Sequence, residues 1–306
     1  MNGKVCMITG GSTGIGKETA LGLARQGATI IIVNRDQARG EAALAEIKAL
    51  SGNGNVELML ADLSDMAAVR DLADRVKAQY HRLDLLINNA GIVARQRELT
   101  VDGYEKTFAV NHLAPFLLTN RLLDLLKQTP GARVINLASQ VHAQTIDFDN
   151  LQAEKGFHGL APYRLSKLAN IMFTYELARR LAGSDVTVNC LHPGVIATDL
   201  LSNFNQLWAQ EQGQPEPAAA KRGGFLRRIR NAFRSEESGG ETVADGARQV
   251  LHLATAPELA GVSGKYWRYG QFEQTNPISY DEALAARLWE VSAELTGISE
   301  VSPTGP

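Results

Sequence analysis

The chain has 306 residues, of which 44% are hydrophobic and 21% charged, ordinary globular proportions that exclude a disordered chain, a collagen and a disulfide-stapled miniprotein. Lysine plus arginine (31) nearly balances aspartate plus glutamate (33), and a net charge of −2 with a pI near 6.3 argues against nucleic acid as the main partner. Two cysteines, Cys6 and Cys190, each inside an apolar run, predict a reducing compartment and so a cytoplasmic protein. The N-terminus reaches a glycine turn after about four apolar residues, too few for a signal peptide, and no later stretch holds the ~18 consecutive apolar residues of a membrane span.

In chain order, six short apolar runs read as strands buried on both faces: Val5–Thr9, Thr29–Val33, Val56–Leu60, Leu83–Asn88, Arg133–Ala138 and Val186–Leu191. Helical stripes lie between them, such as Ala67, Val69, Leu72, Ala73 and Val76, and later Leu165, Leu168, Met172 and Tyr175. Strand and helix in alternation predict an α/β fold, a doubly wound parallel sheet of the Rossmann type. The pattern breaks over 199–240, which contains Gln214-Pro215-Glu216-Pro217 and Gly223-Gly224 but no strand signal, and predicts an inserted substrate lid. A helix over 241–255, a short strand at Lys265–Trp267 and a last helix follow. That helix opens at a capping-box pattern, Ser279 with Glu282, and stops at Gly297. The expected organisation is one domain, 1–297, and a flexible tail, 298–306.

Inside the insertion, 221–234 carries six basic residues and no acidic one. On a helix, Phe225, Leu226, Ile229 and Phe233 fall within about a 100° arc and the arginines outside it. This predicts either a lid helix with a solvated basic face or a peripheral membrane contact through 225–234. Without an aromatic platform it does not predict nucleic-acid binding.

Two local patterns carry chemistry. After the first strand comes Thr9-Gly10-Gly11-Ser12-Thr13-Gly14-Ile15-Gly16, whose glycines permit a tight turn and close approach of backbone to a pyrophosphate at a helix N-terminus. At the end of the second strand, where an acid usually meets the ribose hydroxyls of NAD, the chain reads Asn34-Arg35-Asp36. Arg35 suits a 2′-phosphate and favours NADP(H) over NAD(H); Asp36 either caps the next helix or keeps NAD(H) open. The second pattern is Tyr163 and Lys167, four apart on one helix face. A tyrosine near pKa 10 is a poor base at neutral pH, and a nearby ammonium is expected to lower it.

Asn88-Asn89-Ala90-Gly91, Ser139 and Pro193-Gly194 follow further strands, at the sheet edge where such folds bind ligands, and Asn111 lies in a helical stretch between the first two. With these in order, the chain resembles the short-chain dehydrogenase/reductase family over about residues 3–297. The phrases Asn34-Arg35-Asp36, Leu168-Ala169-Asn170, His192-Pro193-Gly194-Val195 and Leu288-Trp289-Glu290-Val291-Ser292 make it most similar to the retinol dehydrogenase group. The resemblance implies a catalytic set of Asn111, Ser139, Tyr163 and Lys167. Tyr163 would be the acid or base, Ser139 would stabilise the substrate oxygen, Lys167 would bind the nicotinamide ribose, and Asn111 would hold a water relaying protons to Lys167. It implies cofactor contacts at Gly10, Thr13, Gly14, Ile15, Gly16, Arg35, Asp62, Leu63, Asn89, Ala90, Gly91, Tyr163, Lys167, Pro193, Val195 and Thr198. With Thr13 where some NADP-preferring relatives carry a basic residue, selection would rest on Arg35 alone. It also implies a lipophilic small-molecule carbonyl or alcohol as substrate and a homodimer or homotetramer.

The six histidines lack the spacing of a helical zinc motif, so no metal is expected. His142 is expected at the pocket mouth and His192 as a strand-end residue. No Gly-x-Ser-x-Gly elbow is present. Two alternatives stay open: an NAD-dependent alcohol or steroid dehydrogenase, and a non-catalytic nucleotide sensor or scaffold.

Overall fold

Val, Ile and Leu runs flanked by turns become the centre of a sheet when both faces are covered. In the computed structural model, which describes residues 1–194, 199–211 and 242–298, the six runs form β1 (Val5–Thr9), β2 (Thr29–Asn34), β3 (Val56–Leu60), β4 (Leu85–Asn88), β5 (Arg133–Leu137) and β6 (Thr187–His192). With β7 (Lys265–Arg268) they run parallel in the order β3-β2-β1-β4-β5-β6-β7, and β8 (Gln271–Phe272) closes the edge antiparallel. The order reverses between β1 and β4, the switch point at which open sheets of this kind leave a crevice.

The helices are α1 (Gly14–Arg25), α2 (Gln37–Ser51), α3 (Met66–Gln79), α4 (Lys106–Phe108), α5 (Ala114–Arg121), α6 (Leu123–Lys127), α7 (Ala161–Arg180), α8 (Asp199–Glu211), α9 (Val243–Thr255) and α10 (Glu282–Thr296). Strand residues alternate between two core layers. Val5, Met7 and Ile31 pack with α3, α5, α7 and α10, whereas Cys6, Ile8, Ile30 and Ile32 pack with α1, α2 and α9. Trp289 of α10 meets Phe116 of α5 and Phe173 of α7, with ring centroids 4.9 and 5.8 Å away. The described residues form one α/β domain around this sheet.

Three expectations change. The last helix does not open at Ser279. Pro277–Tyr280 forms a tight turn in which the Ser279 hydroxyl is buried and donates to the Asn276 carbonyl, and Asp281 caps the helix by accepting from Leu284 N. The fourth strand starts at Leu85 rather than Leu83, because the Leu83 N–H donates to Thr129 Oγ1 and Asp84 turns its carboxylate back onto Val5 N. β8 was not expected at all. Tyr269 and Gly270 both have positive φ, +51° and +72°, the backbone of a two-residue hairpin turn. The expected lid beyond Glu211, with the basic stretch 221–234, and the tail 299–306 lie outside the described residues. Among the described residues no helix is long and apolar enough to cross a membrane. Cys6 and Cys190 are buried and free.

Asp84 ties β1 to β4. Its buried carboxylate accepts from Val5 N at 2.9 Å and from Arg82 at 2.6 and 2.8 Å, and pairs with Lys4 at 2.9 Å. Burial pushes its pKa up, but Arg82, the Val5 N–H and Lys4 outweigh burial and hold it below the usual carboxylate range. A depressed folded pKa means stability that is complete above about pH 4 and is lost as pH falls through the folded value. Asp84→Ala is expected to remove roughly 2–3 kcal/mol at neutral pH, with the difference from wild type shrinking in acid, as read by urea unfolding at pH 7 and below pH 3.

Candidate active site

The cleft begins at the glycine turn between β1 and α1. Gly10 adopts φ +66° while its N–H donates to Val33 O at 2.9 Å. A Cβ on Gly16 would stand 2.3 Å from the Gly10 carbonyl oxygen and 2.5 Å from Asn89 Nδ2, so only glycine lets α1 enter this close. Thr13 caps α1 with its backbone but makes no side-chain cap bond, which leaves first-turn N–H groups and a hydroxyl facing the cleft. Asn89 acts from below: its Nδ2 donates to Thr9 O and Gly10 O at 2.8 and 3.2 Å. It therefore braces the turn, which the sequence pattern did not reveal.

At the end of β2, Arg35 is exposed and lines the cleft. Asp36 accepts from Arg39 N and caps α2, as one of its two expected roles requires. Arg39 lines the cleft beside Arg35 and was missed, because one turn into a helix it looks like any surface arginine. Opposite, Asp62 accepts from Ser64 N and Oγ at 2.9 and 2.8 Å. Partial burial raises its pKa, but these two bonds and the charges of Arg35 and Lys106 leave it lowered.

The far end holds the predicted catalytic group. Tyr163 and Lys167 project from the first turns of α7 and are 7% and 4% exposed. Lys167 Nζ donates to Leu137 O at 2.9 Å and stands 5.6 Å from the centre of the Tyr163 ring. The Tyr163 phenol is hydrogen-bonded to Ser139. Ser139 Oγ accepts from Val141 N at 3.1 Å, which leaves its own O–H free to donate. Burial pushes the phenol up to about 12 against the lowering effect of Ser139, and burial brings Lys167 down to about 8. In the protein alone, then, desolvation governs the phenol; the expected lowering by the ammonium together with an oxidised nicotinamide belongs to the cofactor-bound site.

Asn111 sits behind the cleft, in a π turn (Ala109–Leu113) between α4 and α5. Its Nδ2 donates to Ile92 O and Ser166 Oγ, both at 3.0 Å, and its Oδ1 accepts from Ile92 N at 2.8 Å. A Cβ on Gly91 would lie 3.4 Å from Asn111 Oδ1 and 3.7 Å from Lys167 Nζ, so the two side chains face that glycine from either side.

The cleft encloses about 670 Å³. Gly10, Thr13, Gly14, Ile15, Gly16, Arg35, Asp62, Leu63, Asn89, Ala90, Gly91, Ser139, Tyr163, Lys167 and Pro193 all line it; Val195 and Thr198 lie outside the described residues. Its inner end is apolar, with Val93, Val141, Leu200 and Phe204, and the Phe204 ring meets Tyr163 edge-on at 5.7 Å. Phe204 and Trp208, one turn apart on α8, were a legible signal that the sequence reading passed over. His142 does not line the cleft. Its Nδ1 contacts Ser139 O at 3.0 Å and its Nε2 accepts from Asn276 N at 3.4 Å, so it braces the loop after β5. His192 ends β6 as expected but also lines the cleft. No three His, Cys, Asp or Glu side chains among the described residues come together as a metal site.

A glycine turn at the switch point of a doubly wound sheet, with a buried tyrosine and lysine at the other end of one cleft, is the architecture of a dinucleotide-binding oxidoreductase. Residues 4–207 match the family described as short chain dehydrogenase. The chain is 41% identical to retinol dehydrogenase 12 of Mus musculus, over 97% of this chain and 87% of that protein. It is 40% identical to retinol dehydrogenase 13 of Homo sapiens, over 98% and 86%. A solved short chain dehydrogenase from Burkholderia cenocepacia J2315, in complex with NADP, matches it with a TM-score of 0.65 at 30% identity, over 87% of this chain and 95% of that one. The chain belongs to the short-chain dehydrogenase/reductase family of oxidoreductases, and within it is retinol dehydrogenase-like.

The glycine turn makes the sharpest test of the cleft's first half. Gly16→Ala is expected to abolish NADPH binding and lower the melting temperature, because the new Cβ meets backbone and not a flexible side chain. Fluorescence titration with NADPH and a thermal melt read both effects.

Proposed function

We propose that the protein transfers a hydride between NADP(H) and a lipophilic carbonyl or alcohol, with Ser139, Tyr163, Lys167 and Asn111 as its working group. The observation that carries this reading is the buried phenol of Tyr163, bonded to Ser139 and overlain by Lys167, at the apolar end of the cleft that starts at the glycine turn. The cofactor fits the residues present. The open first turn of α1 and Thr13 would hold the pyrophosphate, Arg35 and Arg39 the 2′-phosphate, Asp62 the adenine, and Lys167 the ribose beside the nicotinamide. When bound, the nicotinamide supplies or takes up the hydride. The NADP in the Burkholderia relative supports the same class of cofactor here.

In reduction, Tyr163 donates its proton to the carbonyl oxygen while the free Ser139 hydroxyl hydrogen bonds to that oxygen and steadies the charge that builds on it. In oxidation Tyr163 must first lose its proton. Lys167 holds the ammonium that supports the phenolate, and Asn111 braces the turn at Gly91–Ile92 so that the lysine faces the cleft. The carbonyl oxygen of Asn111 accepts from Asn170 and keeps a second lone pair for the relay water. Val93, Val141, Leu200 and Phe204 favour an apolar substrate of the retinal-like or long-chain aldehyde and ketone kind. The start of the expected lid, α8, stands over Tyr163 through Phe204 and is held to α7 by Glu211, which accepts from Leu160 N and pairs with Arg164 at 2.7 Å.

Tyr163→Phe is expected to lose at least a hundredfold in turnover of an aldehyde and alcohol panel while NADPH affinity persists. In wild type, with the phenol at about 12 and Lys167 at about 8, reduction should hold below about pH 8 and fall above it as Lys167 loses its proton, and oxidation should rise with pH only up to about 8, where the supporting ammonium is lost. Equal turnover by the phenylalanine protein would end the mechanism, and no turnover by wild type with either nicotinamide would favour the non-catalytic sensor.

Arg35→Ala and Arg39→Ala are each expected to weaken NADPH binding roughly ten- to a hundredfold with little effect on NADH, because each removes a charged donor from the 2′-phosphate. Titration of both reduced cofactors reads this. An unchanged NADPH affinity in the double variant would point instead to the NAD-dependent alcohol or steroid dehydrogenase.

A further inference from the structure

The side chain of His192 has no part in the chemistry above. It is 5% exposed, lines the cleft, and neither ring nitrogen has a hydrogen-bond partner among the described residues. Tyr266 Oη, on a residue 2% exposed, and Arg268 Nε are in the same condition. The sheet brings the three together. Cys190 and His192 of β6 are in register with Tyr266 and Arg268 of β7. Side-chain alternation then puts all four on one face of the sheet, the face where Cys190 and Tyr266 pack with Ile171 and Tyr175 of α7.

Neighbouring buried polar groups that the protein leaves unpaired are the setting in which ordered water is found. Inward, His192 and Lys167 line the same cleft. Burial first, then the charges of Arg268, Lys167 and His142, bring the His192 pKa down to about 3. A neutral imidazole has one N–H and one lone pair, so it can accept a proton on one nitrogen and release one from the other. Outward, Arg268 pairs at 3.3 Å with Glu273, whose side chain is 44% exposed.

We propose that His192, Tyr266 and Arg268 enclose bound water that joins Lys167 to solvent at the β7–β8 edge, a second passage for the turnover proton beside the relay water at Asn111. It rests on the oxidoreductase reading and is a route separate from Asn111. The balance is simple. Carbonyl reduction adds a hydride to carbon and the Tyr163 proton to oxygen. The phenolate is reprotonated from the Lys167 side of the cleft, Lys167 from the water at His192, and that water from solvent. Oxidation runs the same sequence backwards, and the cofactor is the sole redox partner.

A crystal structure of the full chain with waters resolved is expected to show water bonded to His192 and to Tyr266 Oη or Arg268 Nε. Dry space there, or pairing of these atoms with residues of 195–198, would overturn the passage. In steady-state assays with NADPH, His192→Phe and the gentler Tyr266→Phe are each expected to lower kcat roughly twofold, the share of proton exchange that the Asn111 route does not carry. Both should also enlarge the solvent deuterium isotope effect and leave NADPH affinity unchanged, which a misfolded cleft would not do. Wild-type kcat and isotope effect in both variants sink the proposal. Failure of wild type to turn over any carbonyl sinks the oxidoreductase reading instead, and the waters then decide the passage alone.

Discussion

A chain of buried amides and hydroxyls holds the catalytic helix in place. Asn88 at the end of β4 donates to Asn136 Oδ1 of β5, Asn136 donates to Thr174 of α7, and Thr174 donates to the Asn170 carbonyl, at 2.8–2.9 Å throughout. Asn170 then donates to the carbonyl of Asn111, whose own amide grips Ile92, just beyond β4. The loop closes on itself, and every link except the half-buried one at Ile92 is buried. In a low dielectric such a network is strong when satisfied and costly when broken. It sets how far α7 can slide along the sheet, and so where Tyr163 and Lys167 meet the end of β5.

The same burial decides the chemistry. The phenol of Tyr163 rises, while Lys167 and His192 fall, each chiefly through desolvation. A site that strips charge in this way keeps the Tyr163 phenol protonated at neutral pH, the state that the proposed reduction requires. Along the cleft the character changes from the cationic end at Arg35 and Arg39 to the apolar end at Phe204. One end suits a phosphate and the other a hydrocarbon, with Ser139, Tyr163 and Lys167 between.

Packing beyond the cleft bears on assembly. Helix α10 lies across α5 and α7, with Trp289 against Phe116 and Phe173 and Arg180 stacked 4.2 Å above its ring. Any pairing of two chains through those helices must use the surface that α10 leaves uncovered. His112 of the π turn reaches Ser292 of α10 at 2.8 Å, so the last helix also braces the segment that carries Asn111.

Strand runs, helix periods and the glycine turn were legible because they are local: a Val-rich run, a 3.6-residue stripe or a Gly10-x-x-x-Gly14-x-Gly16 spacing means the same wherever it folds. So was the pairing of Tyr163 with Lys167, which one helical turn dictates. What stayed hidden depends on residues far apart in the chain. Arg39 reaches the cleft only because α2, capped by Asp36, begins beside walls built from distant strands. His142 turns to Asn276, 134 residues away, instead of the pocket. His192, Tyr266 and Arg268 become neighbours only through the β6–β7 register. The desolvation that raises the Tyr163 phenol in the protein alone was hidden for the same reason. A charge four residues away can be read from spacing, but desolvation is supplied by every element packed around the cleft.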